Sequence, residues 1–145
     1  MGAERGADSV EVTFPARPEF VSVARLTAAT VAARLGFTYD EIEDVKIAVA
    51  EACASLIVPG TDPGHPMKVR FLLGPEALEI SVEAKAPGVT LPNPAPTRRA
   101  SSASLPVDES RMGIFLMQCL VDEVEARHHD ASGIAEVRLV KRRQG

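Results

Sequence analysis

Gly36-Phe37-Thr38-Tyr39-Asp40-Glu41-Ile42-Glu43-Asp44-Val45-Lys46-Ile47-Ala48-Val49-Ala50-Glu51-Ala52-Cys53 is the stretch on which the fold turns. Thr38 and Glu41 have the spacing of a capping box, in which the hydroxyl accepts from the N–H three residues on and the carboxylate reaches back to the cap N–H. Phe37 and Ile42 take the flanking positions of a hydrophobic staple, so a helix is expected to begin at Tyr39. Ile42, Val45, Val49, Ala52 and Leu56 then fall on one stripe, which should face a sheet. Pro59-Gly60 predict an end near Ile57.

On the N-terminal side, residues 9–14 (Ser-Val-Glu-Val-Thr-Phe) alternate as a half-buried strand does, and Pro15 and Pro18 break it. From Glu19 to Leu35 the positions Phe20, Val23, Ala24, Leu26, Val31 and Leu35 recur at helical spacing, with Gly36 as the capping glycine. On the C-terminal side, Met67–Leu73 and Leu78–Glu83 flank Gly74-Pro75-Glu76-Ala77 and predict a hairpin. Residues 86–106 hold Pro87, Pro92, Pro94, Pro96 and Pro106 with Ser101, Ser102 and Ser104, a composition without a period that predicts a flexible lid. A third helix is expected from Arg111 to Val121. Two strands, Glu123–Arg127 and Ala135–Val140, then flank His128-His129-Asp130-Ala131-Ser132-Gly133. The order β, α, α, β, β, loop, α, β, β predicts an α+β fold, a two-layer α/β sandwich with its helices on one face of a mostly antiparallel sheet. We expect one domain over residues 1–145.

Composition narrows the function. The 145 residues are 46% hydrophobic and 25% charged, with 16 basic and 20 acidic side chains and a formal net charge of −4. A chain of this length buries enough surface for one core without disulfide or metal staples. Cys53 and Cys119 lie inside apolar helical patterns and are expected as core fillers. The N-terminus carries no secretory pattern, so a cytoplasmic protein is expected. No apolar run approaches the ~18 residues of a membrane span. Basic residues concentrate only in Lys141-Arg142-Arg143, which reads as a solubilising end and not as a nucleic-acid surface.

Several features could carry chemistry. Glu51 and Ser55 lie one turn apart and share a helix face with Asp44 and Ala48. They could serve as a base and a weak ligand for metal or phosphate, or the face could simply be solvated. The Pro/Ser loop entering a helix at Arg111-Met112-Gly113 could close over an anion at that helix N-terminus, or be only a connection. His65, His128 and His129 lack metal-ligand spacing and read as surface residues. Ser101, Ser102 and Ser104 follow Arg98-Arg99 and allow phosphorylation, although a solvated linker explains them as well.

Pro15-Ala16-Arg17-Pro18-Glu19-Phe20-Val21, Arg25-Leu26-Thr27 and the opening stretch Gly36–Cys53 closely resemble bacterial anti-sigma factors with serine-protein kinase activity. These are small members of the histidine-kinase-like (Bergerat-fold) ATPase superfamily that work in partner switching. The likeness continues through Leu78-Glu79-Ile80-Ser81-Val82, Met112-Gly113-Ile114-Phe115-Leu116-Met117 and Leu120-Val121-Asp122-Glu123-Val124. It implies a histidine-kinase-like ATPase fold and a cytoplasmic homodimer that captures an alternative sigma factor and so regulates transcription, as in stress responses. It also implies release by an anti-anti-sigma (STAS-domain) protein whose serine the family kinase phosphorylates. Arg25 matches a family arginine used in partner contact, and a planar charged fork suits interface carboxylates.

The nucleotide motifs depart from that pattern. Glu51 matches the family's general base, but Ser55 stands where an Asn should ligate magnesium, and a hydroxyl is the poorer oxygen donor. The Asp that should accept the adenine amino group falls on Ala84, or on Ala86 if the register slides by two. Losing a hydrogen bond to a charged group, worth roughly 1.5–3 kcal/mol, weakens adenine binding by about 10- to 100-fold. The second glycine box reads Ser110-Arg111-Met112-Gly113 and keeps only Gly113, with the bulk of Arg111 where backbone should approach phosphate. The expectation is a sequestering anti-sigma factor with weak or lost Mg-ATP and Mg-ADP binding. The alternatives are an active serine-protein kinase and a pocket adapted to another small molecule.

Overall fold

In the computed structural model, which describes residues 8–87, 89, 109–129 and 131–143, the Thr38 cap forms as its spacing predicts. Glu41 N donates to Thr38 Oγ1 at 3.2 Å, and Thr38 N donates to Glu41 Oε1 at 2.8 Å. Two N–H groups that a helix start leaves orphaned are thereby satisfied, and the Glu41 carboxylate is buried in doing so. The helix so begun, α2, spans Tyr39–Leu56. Ahead of it lie strand β1 (Asp8–Phe14), a 3₁₀ turn at Pro18–Phe20 and helix α1 (Val21–Arg34). The expected start of α1 at Glu19 is therefore two residues early, because that stretch, with Pro18 at its start, forms the 3₁₀ turn. Its end is a Schellman motif: Gly36 N donates to Ala33 O and Phe37 N to Ala32 O, with Gly36 at φ +81°.

Strands β2 (Met67–Leu73) and β3 (Ala77–Lys85), helix α3 (Glu109–Leu120), and strands β4 (Glu123–His129) and β5 (Ile134–Arg142) complete the order. The five strands form one sheet, β1-β2-β3-β5-β4, with every pair antiparallel. Period two then decides which side chains meet the helices. Met67, Val69 and Phe71, Leu78, Ile80, Val82 and Ala84, and Ala135, Val137 and Leu139 are buried together with Val45, Val49, Ala52 and Leu56 of α2. Each large apolar side chain so buried contributes about 1.5–3 kcal/mol. The opposite face is charged. Lys68 Nζ lies 3.6 Å from Glu11 and 3.9 Å from Glu83, and Arg138 Nε lies 2.8 Å from Glu79. Such exposed pairs add little stability, so this face keeps the sheet soluble and does not drive its formation.

Two expectations are corrected. Lys141-Arg142-Arg143 is no loose basic end, since β5 runs to Arg142 and all three side chains are engaged. Lys141 Nζ donates to Leu120 O at 2.8 Å, Arg142 pairs with Glu123, and Arg143 Nη1 donates to Leu35 O at 2.9 Å. Cationic donors thus meet the carbonyl ends of α3 and α1, where the helix dipole favours them. Of the two cysteines only Cys53 is a core filler; Cys119 is exposed. The helix α3 presents one face to α2, and Cys119 is on the other side. Of the expected lid at 86–106, residues 86, 87 and 89 alone are described. No helix among the described residues is long and apolar enough to cross a membrane.

Two measurements check these assignments. Thr38→Ala removes half of the capping box and should lower the urea midpoint by the equivalent of about 1 kcal/mol with an unchanged m-value. Burial pushes the Cys53 thiol up to about 12, so at pH 8 it carries almost no thiolate. A thiol reagent should therefore modify one cysteine per native chain rapidly, and Cys119→Ser should abolish that phase.

Candidate functional site

Two regions collect the residues singled out in the sequence. The first lies where α2, the end of β3 and the start of α3 meet. Helix α3 packs along α2, and its Gly113 comes close to Glu51: a Cβ added at Gly113 would stand 3.3 Å from Glu51 Oε1. Glycine is what allows that approach. The face bearing Glu51 is thus not an open solvated one, and Ala48 on it is wholly buried. Ser55 shares the face, but its Oγ donates back to Ala52 O at 2.8 Å, within its own helix. Asp44 is engaged further along, 3.5 Å from Lys141 Nζ.

Ala84 and Ala86 occupy different surroundings. Ala84 lies within β3 opposite Ala135, and both are completely buried. Ala86 follows the strand and is also buried; its N–H donates to Gly133 O at 2.9 Å and its carbonyl accepts from Val89 N at 3.0 Å. The same carbonyl lies 3.3 Å from His128 Nε2. His128, expected at the surface, is therefore half-buried against the end of β3, because position 128 points to the helix side of β4. Arg111 is exposed on the first turns of α3. Gly113 comes against Glu51, with Ser55 one turn along α2, and Ala84 and Ala86 are buried at the end of β3. Ala84 and Ala86 present only methyl groups there, and the Ser55 hydroxyl is turned onto its own helix.

The second region is the outward face of α1. Arg25 is exposed there. So are Leu26 at 66% and Val23 at 38%, two of the apolar positions that recur at helical spacing. The residues that α1 buries are Ala24, Ala28, Val31 and Ala32. Thr27 and Thr30 turn their hydroxyls inward, donating to Val23 O at 2.8 Å and Leu26 O at 3.0 Å. Their polarity is thereby satisfied within the helix, leaving methyl groups outward. A shallow depression follows, lined by Ala29, Thr30, Ala33 and Arg34. The resemblance placed partner contact on this helix at Arg25; the exposed Leu26 and Val23 beside it were not singled out, although Val21–Arg34 holds two arginines and no carboxylate. A helix with apolar side chains on its outward face as well as its buried one has a second face to cover.

Residues 14–141 match the family model described as a histidine kinase-like ATPase domain. The chain is 36% identical over 138 residues to the serine-protein kinase RsbW of Halalkalibacterium halodurans, covering 93% of this chain and 85% of that protein. It is 35% identical over 137 residues to the serine-protein kinase RsbW of Bacillus subtilis, covering 91% and 86%. Among solved structures, one of the RsbU and RsbW domains of a Mycobacterium tuberculosis protein superposes with a TM-score of 0.64 at 16% identity, covering 95% of this chain and 33% of that one.

The contact between Gly113 and Glu51 makes a quantitative prediction. Glycine inside a helix costs about 1 kcal/mol relative to alanine. Gly113→Ala should recover most of that in a Glu51→Ala background and less beside the native Glu51, a coupling that a double-mutant cycle on urea midpoints reads directly.

Proposed function

This chain belongs to the histidine kinase-like ATPase family, together with the RsbW serine-protein kinases, and we propose that it acts as an anti-sigma factor that sequesters an alternative RNA polymerase sigma factor. The observation that carries the reading is the outward face of α1. An apolar patch left in water, with its hydroxyls internally satisfied and arginines at its margins, is suited to cover by another protein. Leu26 supplies the anchor, Val23 and the methyls of Thr27 and Thr30 extend it, and Arg25 and Arg34 meet carboxylates at the rim. A sigma factor held there is kept from core RNA polymerase. An anti-anti-sigma protein competing for the same face releases it, and a homodimer is the assembly we expect.

Catalysis is not required by this mechanism, and the pocket residues argue against it. Phosphoryl transfer depends on positioning and electrostatic stabilisation of the transferred group. Ser55, Ala84 and Arg111 replace the groups that would do the positioning, so no step is routed through nucleotide. Glu51 on its own has nothing to activate. In this reading the antagonist is phosphorylated by a different kinase, and exchange of partners on α1 is governed by their relative affinities and amounts.

Two experiments test the proposal. Tagged full-length protein incubated with native lysate should retain a protein identified by mass spectrometry as a sigma factor, and purified complex should block transcription by core enzyme. Leu26→Asp should weaken capture by about 30-fold or more, as expected for a central anchor replaced by a charge. Recovery of no sigma factor would sink the proposal. By calorimetry the natural chain should give no heat with Mg-ATP or Mg-ADP, whereas Ser55→Asn/Ala84→Asp should regain binding. Micromolar binding by the natural chain, with phosphate transfer to the antagonist that Glu51→Ala abolishes, would establish a serine kinase instead.

A further inference from the structure

Helix α1 packs along α2 chiefly through small side chains. Its fully buried residues are three alanines, Ala24, Ala28 and Ala32, with Val31, while Val21 and Leu35 at its ends are only partly buried against the core. No side chain caps its N-terminus. Its fixed end is the C-terminal one. There the Schellman bonds satisfy Ala32 O and Ala33 O, Leu35 N donates to Val31 O, and Leu35 O is left for a partner from elsewhere. That partner is Arg143, 108 residues away in sequence, whose Nη1 donates to Leu35 O at 2.9 Å. The same residue's backbone N–H donates to Glu76 O in the β2–β3 turn at 2.8 Å. A Cβ added at Gly36 would lie 3.5 Å from Nη1, so the guanidinium also rests on the capping glycine.

We propose that Arg143 is a positioning residue for the partner face of α1. It ties the carbonyl end of that helix to the β2–β3 turn and thereby fixes the orientation in which Leu26 and Arg25 are presented. The cation suits the site because it both donates a hydrogen bond and opposes the partial negative charge of the helix end. Lys141, which binds Leu120 O in the same manner, does for α3 what Arg143 does for α1. The inference rests on the reading of α1 as the docking surface. Without the clamp the last turn of α1 frays, only a fraction of molecules present the docking geometry, and apparent affinity falls by that fraction.

The test compares full-length wild type, Arg143→Ala and Arg143→Lys. Hydrogen exchange at Gly36 and Phe37, the donors of the Schellman motif, should accelerate roughly tenfold in Arg143→Ala while core strands keep their protection. Affinity for the purified sigma factor recovered by the wild-type chain should fall about fivefold at an almost unchanged urea midpoint. Arg143→Lys, which keeps a cationic donor, should restore both. A purely structural role would shift the midpoint and lower binding only in proportion to unfolded protein. Unchanged exchange at Gly36 and Phe37, or affinity equal to wild type once exchange has accelerated, overturns the inference. A wild-type chain that captures no sigma factor overturns the docking surface, while the exchange measurement still decides whether the clamp exists.

Discussion

Burial of the Val45–Val49–Ala52–Leu56 stripe of α2 against β3 and β5 sets the place of everything else on the helix side of the sheet. α1 and α3 each pack on α2, so an error in its rotation would be passed to both. Small residues make the arrangement possible. Ala48 and Ala52 are wholly buried, and side chains of that size let neighbouring elements come close without the voids or strain that larger ones would create. The capping box at Thr38 fixes where the stripe begins, and hence its phase relative to the sheet.

The two candidate regions stand in opposite relations to that scaffold. At Ala84 the sheet favours an apolar residue. A carboxylate at a wholly buried position, facing Ala135 across the ladder, would be costly unless partnered, and alanine removes the burden. Leu26 is the reverse case. Its side chain lies 66% exposed and contributes little to holding this chain together, which is why a docking role is the more economical explanation for it.

What could be read from the sequence was what local rules decide. Thr38 and Glu41 are three residues apart, Gly36 follows a helix end directly, and the alternation in β2, β3 and β5 is visible in a window of a few residues. The sheet's antiparallel character followed from the element order. Lys141 and Arg143 were misread because their acceptors, Leu120 O and Leu35 O, lie far back in the sequence. Nothing near residue 143 marks it as a helix cap. The exposure of Leu26 and Val23 was not legible for a different reason: an apolar position at helical spacing does not say which side of the helix is covered. The same ambiguity separated Cys53 from Cys119, whose local patterns are alike. For the pocket, the motif positions were visible, but the turn of Ser55 Oγ onto Ala52 O and the approach of Gly113 to Glu51 depend on how α2 and α3 pack.

The strand order β1-β2-β3-β5-β4 has a consequence for synthesis. β5 comes after the other strands in sequence yet lies inside the sheet, hydrogen-bonded to β3 on one side and β4 on the other. During translation β1, β2 and β3 can pair as soon as they leave the ribosome, while β4 has no neighbour until β5 emerges. Until then β3 presents an unpaired edge beside the apolar side chains that α2 covers, the kind of surface on which nascent chains associate wrongly. Closure is a long-range event joining β3 to a strand some fifty residues later in the numbering, slow by the standards of local hairpins. The charged open face of β1 and β2, with Glu11, Lys68 and Arg70 exposed or half-exposed, then acts as a built-in guard against aggregation while the chain waits for β5.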